Sequence, residues 1–413
     1  MMRYDVIVLG AGMVGVCSAL HLQMRVLKVA LLDRRPAGEE TSHGNAGVIE
    51  RDSHVPITIP SSLGALAKYA ANQEIAMRYD PKFLPKLAPW LYRLWRLSNP
   101  QGIEIFARGV EPIRKKAADE HALIAAEAGI EEAFRETGWL HVYSDETIRS
   151  ADPCLAYAKE FGVKFDVVDR QGILELEPFL TPADDARAIF WKEAVSVSSP
   201  QRVTKQYAKL FAAKGGDFVV GDARSLAREG DYWQVQCEKG VISSSRVVVA
   251  LGPWSSDLLE PLGYRFPLAV KRGYHQHFQP QGNATLYRPV VDEILGFVMT
   301  PMEDGIRLTT GIEFAHRDSP KNWGQLDAAL SFARKLFPLG ESVEEKPWRG
   351  ARPCFPDALP IVDASGDHNG LYFNFGHGHI GFSSGPVLGR LMADLIMDQV
   401  PQIDPVPYSA ARF

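Results

Sequence analysis

Two glycine-rich turns, one near each end of the chain, have a spacing that suits the binding of anionic groups. The first lies in YDVIVLGAGMVGVCSALHL, where Gly10, Gly12 and Gly15 form G-x-G-x-x-G between an apolar run and a helical pattern. In this context the first glycine makes a tight turn, the second lets the backbone approach a pyrophosphate, and the third lets helix and strand pack closely. Unpaired N–H groups at the helix start would then face the phosphates. The first turn therefore predicts a dinucleotide site.

An acidic residue follows at the position where a dinucleotide site needs one. The second apolar run, VALLD, ends in Asp33, 18 residues after Gly15, where a carboxylate can accept hydrogen bonds from a ribose diol. A turn residue that closes a strand is the alternative for Asp33, but its spacing from the glycines favours the ribose. Arg34 and Arg35 could bind a 2′-phosphate and indicate NADP, although basic residues after this strand are more common on a solvated face.

The second turn lies in LYFNFGHGHIGFSSGP, residues 371–386, where four glycines fall within ten positions. A helix is predicted to follow from about Ser383, so that a second helix N-terminus offers N–H groups and a positive dipole end. An ordinary glycine loop before a C-terminal helix is the alternative. A nicotinamide dinucleotide needs no such second turn, which favours a cofactor of another kind.

Composition restricts the remaining possibilities. A length of 413 residues predicts two or three domains, and 46% apolar residues with a net charge of -5 leave no broad basic surface for nucleic acid. No run of about 18 apolar residues occurs, so no membrane-spanning helix is expected. The cysteines contain no C-x-x-C pair, which favours a reducing cytoplasm over zinc or disulfides; they are Cys17, Cys154, Cys237 and Cys354.

Periodicity away from the turns indicates a second architecture. WLHVYSD, GILELEP and AIFWKEAVSVS each predict a strand, and an alternating block from Leu268 to Phe314 predicts antiparallel sheet with a hairpin turn at Asp304-Gly305. Nucleotide-binding patterns and these pieces alternate along the chain. We therefore expect discontinuous domains: residues 1–55, 195–262 and 345–413 form a nucleotide-binding domain, and residues 56–194 and 263–344 form a substrate-binding domain.

One predicted helix has a composition that leaves two interpretations open. FLPKLAPWLYRLWRL is basic and contains Trp90 and Trp95, so it could touch a membrane surface. Leucine stripes of this kind more often face a core. The chain is thus expected in the cytoplasm, with peripheral contact at the inner face of the membrane as the alternative; the stripe consists of Leu84, Leu87, Leu91 and Leu94.

Seven motifs spread along the chain form a set: GAGMVG at 10–15, Asp33, TSHGNAGVI at 41–49, ALGPWS at 250–255, RGY at 272–274, GARPCFPDALPIV at 350–362 and GHGHIGF at 376–382. Together they resemble the FAD-dependent D-amino-acid dehydrogenase family, within the D-amino-acid oxidase and glycine/sarcosine oxidase superfamily. Two positions depart from that pattern, because Arg272 stands where lysine is common and His379 stands where threonine is common. Both lie where substrate or flavin would be, so the resemblance leaves the substrate range open.

The resemblance implies FAD and a mixed fold class, α/β plus α+β: a Rossmann-like FAD-binding domain of the GR2 type and a second domain on a mainly antiparallel sheet. A reduced flavin carries added electron density near N1 and the C2 carbonyl, which the second turn would stabilise. Noncovalent FAD is favoured, since His43 falls one position off the covalent pattern and Cys354 suits packing better. The residues expected at the cofactor are Gly10, Ala11, Gly12, Met13, Val14, Gly15, Asp33, Arg34, Arg35, Thr41, Ser42, His43, Asn45, Ala46, Gly47, Ala223, Ala250, Gly252, Trp254, Arg352, Gly378, His379, Ile380 and Gly381.

By the same resemblance, Arg352 faces the flavin and holds the substrate carboxylate in its planar fork. Tyr274, Arg272 and His379 complete the expected catalytic set, with Tyr274 and Arg272 as further candidates for holding the carboxylate or amine. Either could instead be an ordinary strand residue.

The implied reaction is oxidation of a D-amino acid, with D-proline-like or hydroxyproline-like substrates as candidates, by hydride transfer from Cα to flavin N5 and then to a quinone or another carrier. Two other functions stay open: a glycine or sarcosine oxidase that uses oxygen, and a flavin-binding or electron-transfer subunit without its own substrate. The oligomeric state is left undetermined.

Two histidine pairs raise the question of a metal. His275 and His277 share a predicted strand face, and His377 and His379 share a turn. No acidic or cysteine ligand stands at a recognisable spacing from either pair. The sequence therefore predicts no metal site.

Overall fold

The computed structural model describes residues 2–60 and 62–413. A six-stranded sheet explains why the two glycine turns can meet. Its strands run in the order Asp217–Val220, Val29–Asp33, Val6–Leu9, Val247–Val249, Leu371–Phe375 and Ile361–Ala364. The first five are parallel and only the last is antiparallel. Because parallel strands end at one sheet edge, the turns after Val6–Leu9 and Leu371–Phe375 emerge at the same edge, with only strand Val247–Val249 between them.

The helices that follow the two turns pack directly against each other. Helix Met13–Met24 begins after the first turn, and helix Gly381–Ile396 begins at the second, two residues before the predicted start at Ser383. Glycines allow this close approach: a Cβ on Gly389 would lie 2.7 Å from the carbonyl carbon of Cys17. The two helix N-termini are thereby fixed relative to each other.

Substitution of Gly389 by valine is expected to lower the free energy of unfolding by about 1–3 kcal/mol, because the added side chain overpacks this helix contact. Urea denaturation of the FAD-loaded protein measures the change. Gly366→Val is the control, since no described atom lies within 4 Å of a Cβ at that position. Equal midpoints for both variants would contradict the packing argument.

A second, eleven-stranded sheet is mainly antiparallel, as predicted. Its long central strand, Ala269–Pro280, pairs with Trp348–Cys354 in a register that places Gly273 opposite Gly350 and Lys271 opposite Arg352. Strand Ala269–Pro280 also pairs with Ile312–Phe314, Gly305–Thr309 and Leu339–Ser342. The other strands of this sheet are Met77–Tyr79, Phe297–Met302, Val290–Asp292, Trp139–Ser144, Ala186–Trp191 and Phe165–Val168.

Two small sheets and further helices complete the structure. One small sheet contains Met2–Tyr4, Gly240–Ser244, Tyr232–Cys237 and Ala227–Glu229, and the other contains Val48–Ile49, Val195–Val197 and Phe134–Arg135. The other α-helices are Leu63–Ala70, Leu84–Leu97, Pro100–Ala128, Asp152–Glu160, Arg170–Leu176, Pro200–Ala213, Ser255–Leu259 and Gly324–Leu336. The 3-10 helices are Glu131–Ala133, Ile148–Ala151, Ala223–Ser225, Gly252–Trp254, Glu260–Leu262, Val406–Tyr408 and Ala410–Arg412.

Two local predictions were wrong. The strand expected in GILELEP is the helix Arg170–Leu176, which begins where the Asp169 carboxylate accepts the Gly172 N–H at 3.0 Å. The hairpin turn lies one residue earlier than expected, because Met302 already pairs with Gly305.

Two elements pack with a different domain from the one that the sequence analysis assigned them to. Strand Trp348–Cys354, from the segment assigned to nucleotide binding, belongs to the eleven-stranded sheet. Helix Pro100–Ala128, from the segment assigned to substrate binding, contributes buried residues to the core of the parallel sheet. Both follow from tertiary packing, which local periodicity does not encode. The remaining division stays a prediction.

The basic helix Leu84–Leu97 buries one of its two tryptophans. Trp90 packs against Phe314 and donates to the carbonyl of Cys354 at 3.2 Å, whereas Trp95 is 58% exposed. Among the described residues, no helix has both the length and the apolar character that crossing a membrane requires.

Candidate active site

A cavity of about 990 Å³ opens where the carboxyl edge of the parallel sheet meets the eleven-stranded sheet. Gly10 and Gly12 line it from the first turn, and Gly378, His379 and Gly381 line it from the second. Its volume is at the upper end of the range for ligand pockets, roughly 300–1,000 Å³. The structure thus brings both glycine turns to one large site.

The first turn requires glycine at two positions and leaves the third open to a ligand. Gly10 has a φ of +105°, and a Cβ there would lie 2.4 Å from the Ala250 oxygen. A Cβ on Gly15 would lie 1.8 Å from the Gly10 oxygen. At Gly12 the nearest described atom would be Ser42 Oγ at 3.3 Å. The backbone at Gly12 therefore presents a bare surface to the cavity.

The N–H groups of the first turn divide into two sets. Ala11 N–H donates to Asp33 Oδ2 at 2.7 Å, and Met13 N–H donates to Ser42 Oγ at 2.9 Å. Gly12 and Val14 also line the cavity, and no hydrogen-bond acceptor is found for their N–H groups within the described ranges. These last two are the groups free to bind an anion.

The two arginines after Asp33 already have a carboxylate partner. Arg34 and Arg35 lie 3.4 and 3.0 Å from Glu40 Oε1, and Arg34 also lies over the Trp254 ring at 4.8 Å. This pairing supports the interpretation of a solvated face over a dedicated 2′-phosphate site.

The loop of residues 41–47 is fixed by a buried arginine that the sequence analysis missed. Arg307 is 4% exposed and donates through Nη1 to the carbonyls of His43 at 3.1 Å and Asn45 at 2.6 Å. Burial lowers the pKa of Arg307 to about 10, so the guanidinium stays charged at neutral pH. Thr41 Oγ1 adds a bond to the Ala351 oxygen at 2.8 Å.

Three residues could be taken for a metal site. One donor atom from each of His275, His277 and Glu344 lies within 4.8 Å of the others. The ring of His277 is already used on both sides, because Nδ1 contacts Glu344 and Nε2 accepts from Arg307 Nε at 2.9 Å. A metal ion would face that guanidinium, so the arrangement suits a hydrogen-bonded chain better.

The two histidines of the second turn both border the cavity, but they do not form a metal-binding pair among the described residues. His377 is buried, and burial lowers its pKa to about 3, which keeps the ring neutral. The side chain of His379 is 53% exposed and approaches Glu50, with Nε2 3.4 Å from Oε1.

The second turn offers fewer free N–H groups than the sequence suggested. Gly378 N–H donates to the Pro353 oxygen at 2.7 Å, and Ile380 N–H donates to the His377 oxygen at 3.1 Å. His379 and Gly381 line the cavity, and their N–H groups have no acceptor in the part of the chain that the structure describes. The positive end of the helix is present, and of the four N–H groups predicted to contribute to it, those of His379 and Gly381 stay free.

Arg352 presents a guanidinium to the same cavity. Its Nη1 and Nη2 donate only to the carbonyls of Gly311 at 3.0 Å and Thr310 at 3.5 Å. No carboxylate pairs with it across residues 2–60 and 62–413. Burial lowers the pKa of Arg352, yet a guanidinium remains protonated in proteins. The cavity therefore contains a cation that lacks an anionic partner.

The side chains of Arg272 and Tyr274 turn to the face of their strand opposite Arg352, although Tyr274 still borders the cavity. Tyr274 Oη donates to Glu313 Oε2 at 2.5 Å and accepts from Arg272 Nη2 at 2.7 Å. Burial and Glu313 raise the pKa of Tyr274 to about 12. Arg272 is fully buried, pairs with Glu313 at 3.1 Å and does not line the cavity. Side chains alternate along a strand, so Gly273 between them faces the site instead.

Most of the cofactor-binding and catalytic residues predicted from the sequence border the cavity. Five of them do not. Residues brought to the cavity also include Met13, Asp33, Arg34, Arg35, Thr41, Ser42, His43, Asn45, Ala46, Ala223, Ala250, Gly252, Trp254 and Tyr274. Those outside its lining are Ala11, Gly15, Gly47, Arg272 and Ile380.

Residues 5–395 match the model of the DAO family, described as FAD dependent oxidoreductase. The chain belongs to this family. It is therefore an FAD-dependent oxidoreductase, as the motifs predicted, with the expected mixed α/β architecture. Two unpaired sets of N–H groups around one cavity fit a cofactor with a pyrophosphate and an electron-rich ring.

Relatives of this FAD-dependent oxidoreductase cover it almost completely. It is 28% identical to a D-amino-acid oxidase of Bradyrhizobium diazoefficiens, over 99% of this chain and 98% of the relative. It is also 28% identical to a D-amino acid dehydrogenase of Methylobacterium nodulans, over 99% of both chains. The solved glycine oxidase from Geobacillus kaustophilus has the same fold, with a TM-score of 0.78 at 20% identity and 100% coverage of each chain.

Proposed function

We propose that this enzyme oxidises the Cα–N bond of a D-amino acid and that Arg352 binds the substrate carboxylate. The unpaired guanidinium of Arg352 in the cavity carries this proposal, because a planar fork can hold two carboxylate oxygens in a fixed geometry. The two curated relatives named as a D-amino-acid oxidase and a D-amino acid dehydrogenase support the substrate class.

The proposal assigns the two halves of FAD to the two turns. Gly12 and Val14 N–H groups would receive the pyrophosphate, with Asp33 near the ribose, by the electrostatics of a helix N-terminus. His379 and Gly381 N–H groups would receive the ring edge. Noncovalent binding remains expected, because Cys354 is buried and His43 lies against the rings of Trp348 and His275.

In the proposed reaction Arg352 fixes the substrate so that its Cα–H faces the ring, and positioning of this kind supplies much of the rate enhancement. FAD supplies the acceptor for the hydride when it is bound. The imino acid leaves the site and hydrolyses in water to a keto acid and ammonia. A quinone or another carrier is proposed as the final acceptor, and the exposed Trp95 is the contact point if that acceptor lies in a membrane.

One experiment distinguishes the proposed function from its two alternatives, a glycine or sarcosine oxidase and a flavin-binding subunit without its own substrate. Anaerobic bleaching of the flavin by a panel of D- and L-amino acids, including D-proline, glycine and sarcosine, identifies the substrate class. Reoxidation by oxygen or by quinone dyes then separates an oxidase from a dehydrogenase. Bleaching by glycine and sarcosine with no response to D-isomers would favour the glycine oxidase alternative. Bleaching by no amino acid would favour a subunit without its own substrate.

The close fit between Gly273 and Arg352 gives a further prediction. A Cβ at Gly273 would lie 2.6 Å from Arg352 Nη2, so Gly273→Ala must displace the guanidinium. We expect KM and the dissociation constant of a carboxylate inhibitor to rise about tenfold, or roughly 1.4 kcal/mol, while the flavin spectrum is unchanged. Steady-state kinetics and inhibitor titration measure this, with Gly366→Ala as control. Unchanged inhibitor binding would contradict the placement of Arg352.

A further inference from the structure

His379 forms a pair with a buried carboxylate at the edge of the cavity. Its Nε2 lies 3.4 Å from Glu50 Oε1, and both residues line the cavity. Asn45 Nδ2 approaches the His379 carbonyl at 3.5 Å and helps to hold the turn. An imidazole that is half exposed, borders the cavity and lies next to a carboxylate has an arrangement that suits a general base.

The charge of Glu50 determines how this pair can act. Glu50 is 8% exposed, and its Oε1 also lies 3.2 Å from Arg114 Nη1. Burial alone would raise the pKa of Glu50, but Arg114 and His379 together hold it below its ordinary value. An anionic Glu50 next to Nε2 favours the tautomer of His379 that carries its hydrogen on Nε2, and in that tautomer the lone pair lies on Nδ1.

We propose that His379, oriented by Glu50, accepts the proton that the substrate ammonium must lose before hydride can leave Cα. The inference rests on the proposed function, since it requires an amino acid in the cavity. The N–H bond of the ammonium breaks and its proton moves to Nδ1 of His379. The nitrogen lone pair then forms the C=N bond as the hydride departs to the flavin. Because the His379 side chain is exposed, its proton can return to solvent.

Other charged groups near this pair come from the elements behind Glu50. Arg114 belongs to helix Pro100–Ala128 and is the cation next to Glu50. Asp52 is fully buried and lies 3.8 Å from His141, whose Nδ1 is 2.7 Å from Glu293. The charges of these acids and bases offset one another. Glu50 is the carboxylate that lies next to His379. On its own turn the neighbouring His377 is neutral. Arg352 is one of several cations that line the cavity, and the others are Arg34, Arg35, Arg224, Arg317, Lys321, Lys346 and Arg349.

The test compares kcat/KM against pH for the FAD-loaded wild type and His379→Asn, using the best amino acid from the bleaching panel. We expect His379→Asn to lose about 100-fold at pH 7, the lower end for general base catalysis. The loss should shrink toward pH 10, because a growing fraction of the free substrate amine is then neutral. Glu50→Gln should show a smaller loss with the same pH trend, and His379→Gln replaces His379→Asn if that variant folds poorly.

Binding of an amine-free carboxylate inhibitor should be unchanged in His379→Asn. His316→Asn is the matched control, because that histidine is similarly exposed at 57% but lies outside the cavity lining. A loss that is equal at every pH, or weaker inhibitor binding, would overturn the inference. Failure of any amino acid to reduce the wild-type flavin would instead overturn the proposed function, so the two failures are distinguishable.

Discussion

Arg352→Gln is expected to lower kcat/KM for the best amino acid by about 30- to 1,000-fold, which corresponds to roughly 2–4 kcal/mol. The physical reason is that the guanidinium is half-buried in the cavity and donates only to two carbonyls. A carboxylate is the partner that would complete its hydrogen bonds. The same factor should appear in the dissociation constant of a carboxylate inhibitor, measured by its perturbation of the flavin spectrum.

Two variants make this experiment specific. Arg352→Lys keeps the charge but loses the fork, so it should recover only part of the affinity. Arg202→Gln removes an arginine that pairs with Glu132 and Glu303 at the surface and should leave inhibitor binding at the wild-type value. Inhibitor binding by Arg352→Gln at wild-type strength would show that another group binds the carboxylate.

Gly12→Val is expected to give a folded protein that is colourless and inactive. A Cβ at Gly12 would meet only Ser42 Oγ, at 3.3 Å, among the described atoms, and Gly12 has a φ of -71° that any residue can adopt. The added side chain would therefore fill the cavity surface where we propose that the pyrophosphate binds, without disturbing the chain. The FAD content of the purified protein, from its visible spectrum, and circular dichroism measure the two outcomes.

Comparison with two other glycines sharpens this prediction. Gly366→Val should bind a full equivalent of FAD, because the position is open and outside the cavity. Gly15→Ala should reduce folding itself, since its Cβ would overlap the Gly10 oxygen. A yellow Gly12→Val protein with full FAD content would contradict the assignment of the first turn.

The first turn could be predicted from sequence because its requirements are local. Backbone conformation requires glycine at position 10, and strand-to-helix packing requires glycine at position 15. Asp33 follows at a fixed distance within the same supersecondary unit. The meeting of the two turns also follows from a simple rule, since parallel strands end at one edge. What local sequence could not reveal is which N–H groups stay free: Gly378 is bonded to Pro353, a partner supplied by another sheet.

The residues around Arg352 were harder to predict. Which side chains face Arg352 depends on the register between strands that are distant in sequence. Arg272 and Tyr274 are polar residues beside Arg352 in the sheet, yet the alternation of side chains turns them toward Glu313. Arg307 was missed because nothing in its strand pattern indicates that its guanidinium reaches the loop of residues 41–47. The pairing of His379 with Glu50 likewise joins residues from opposite ends of the chain.

The most direct test of this account is a crystal structure of the FAD-loaded protein soaked with a carboxylate inhibitor. We predict the pyrophosphate at Gly12 and Val14, the ring edge at His379 and Gly381, and the inhibitor carboxylate on Arg352. A flavin ring remote from residues 378–381, or an inhibitor bound away from Arg352, would contradict it.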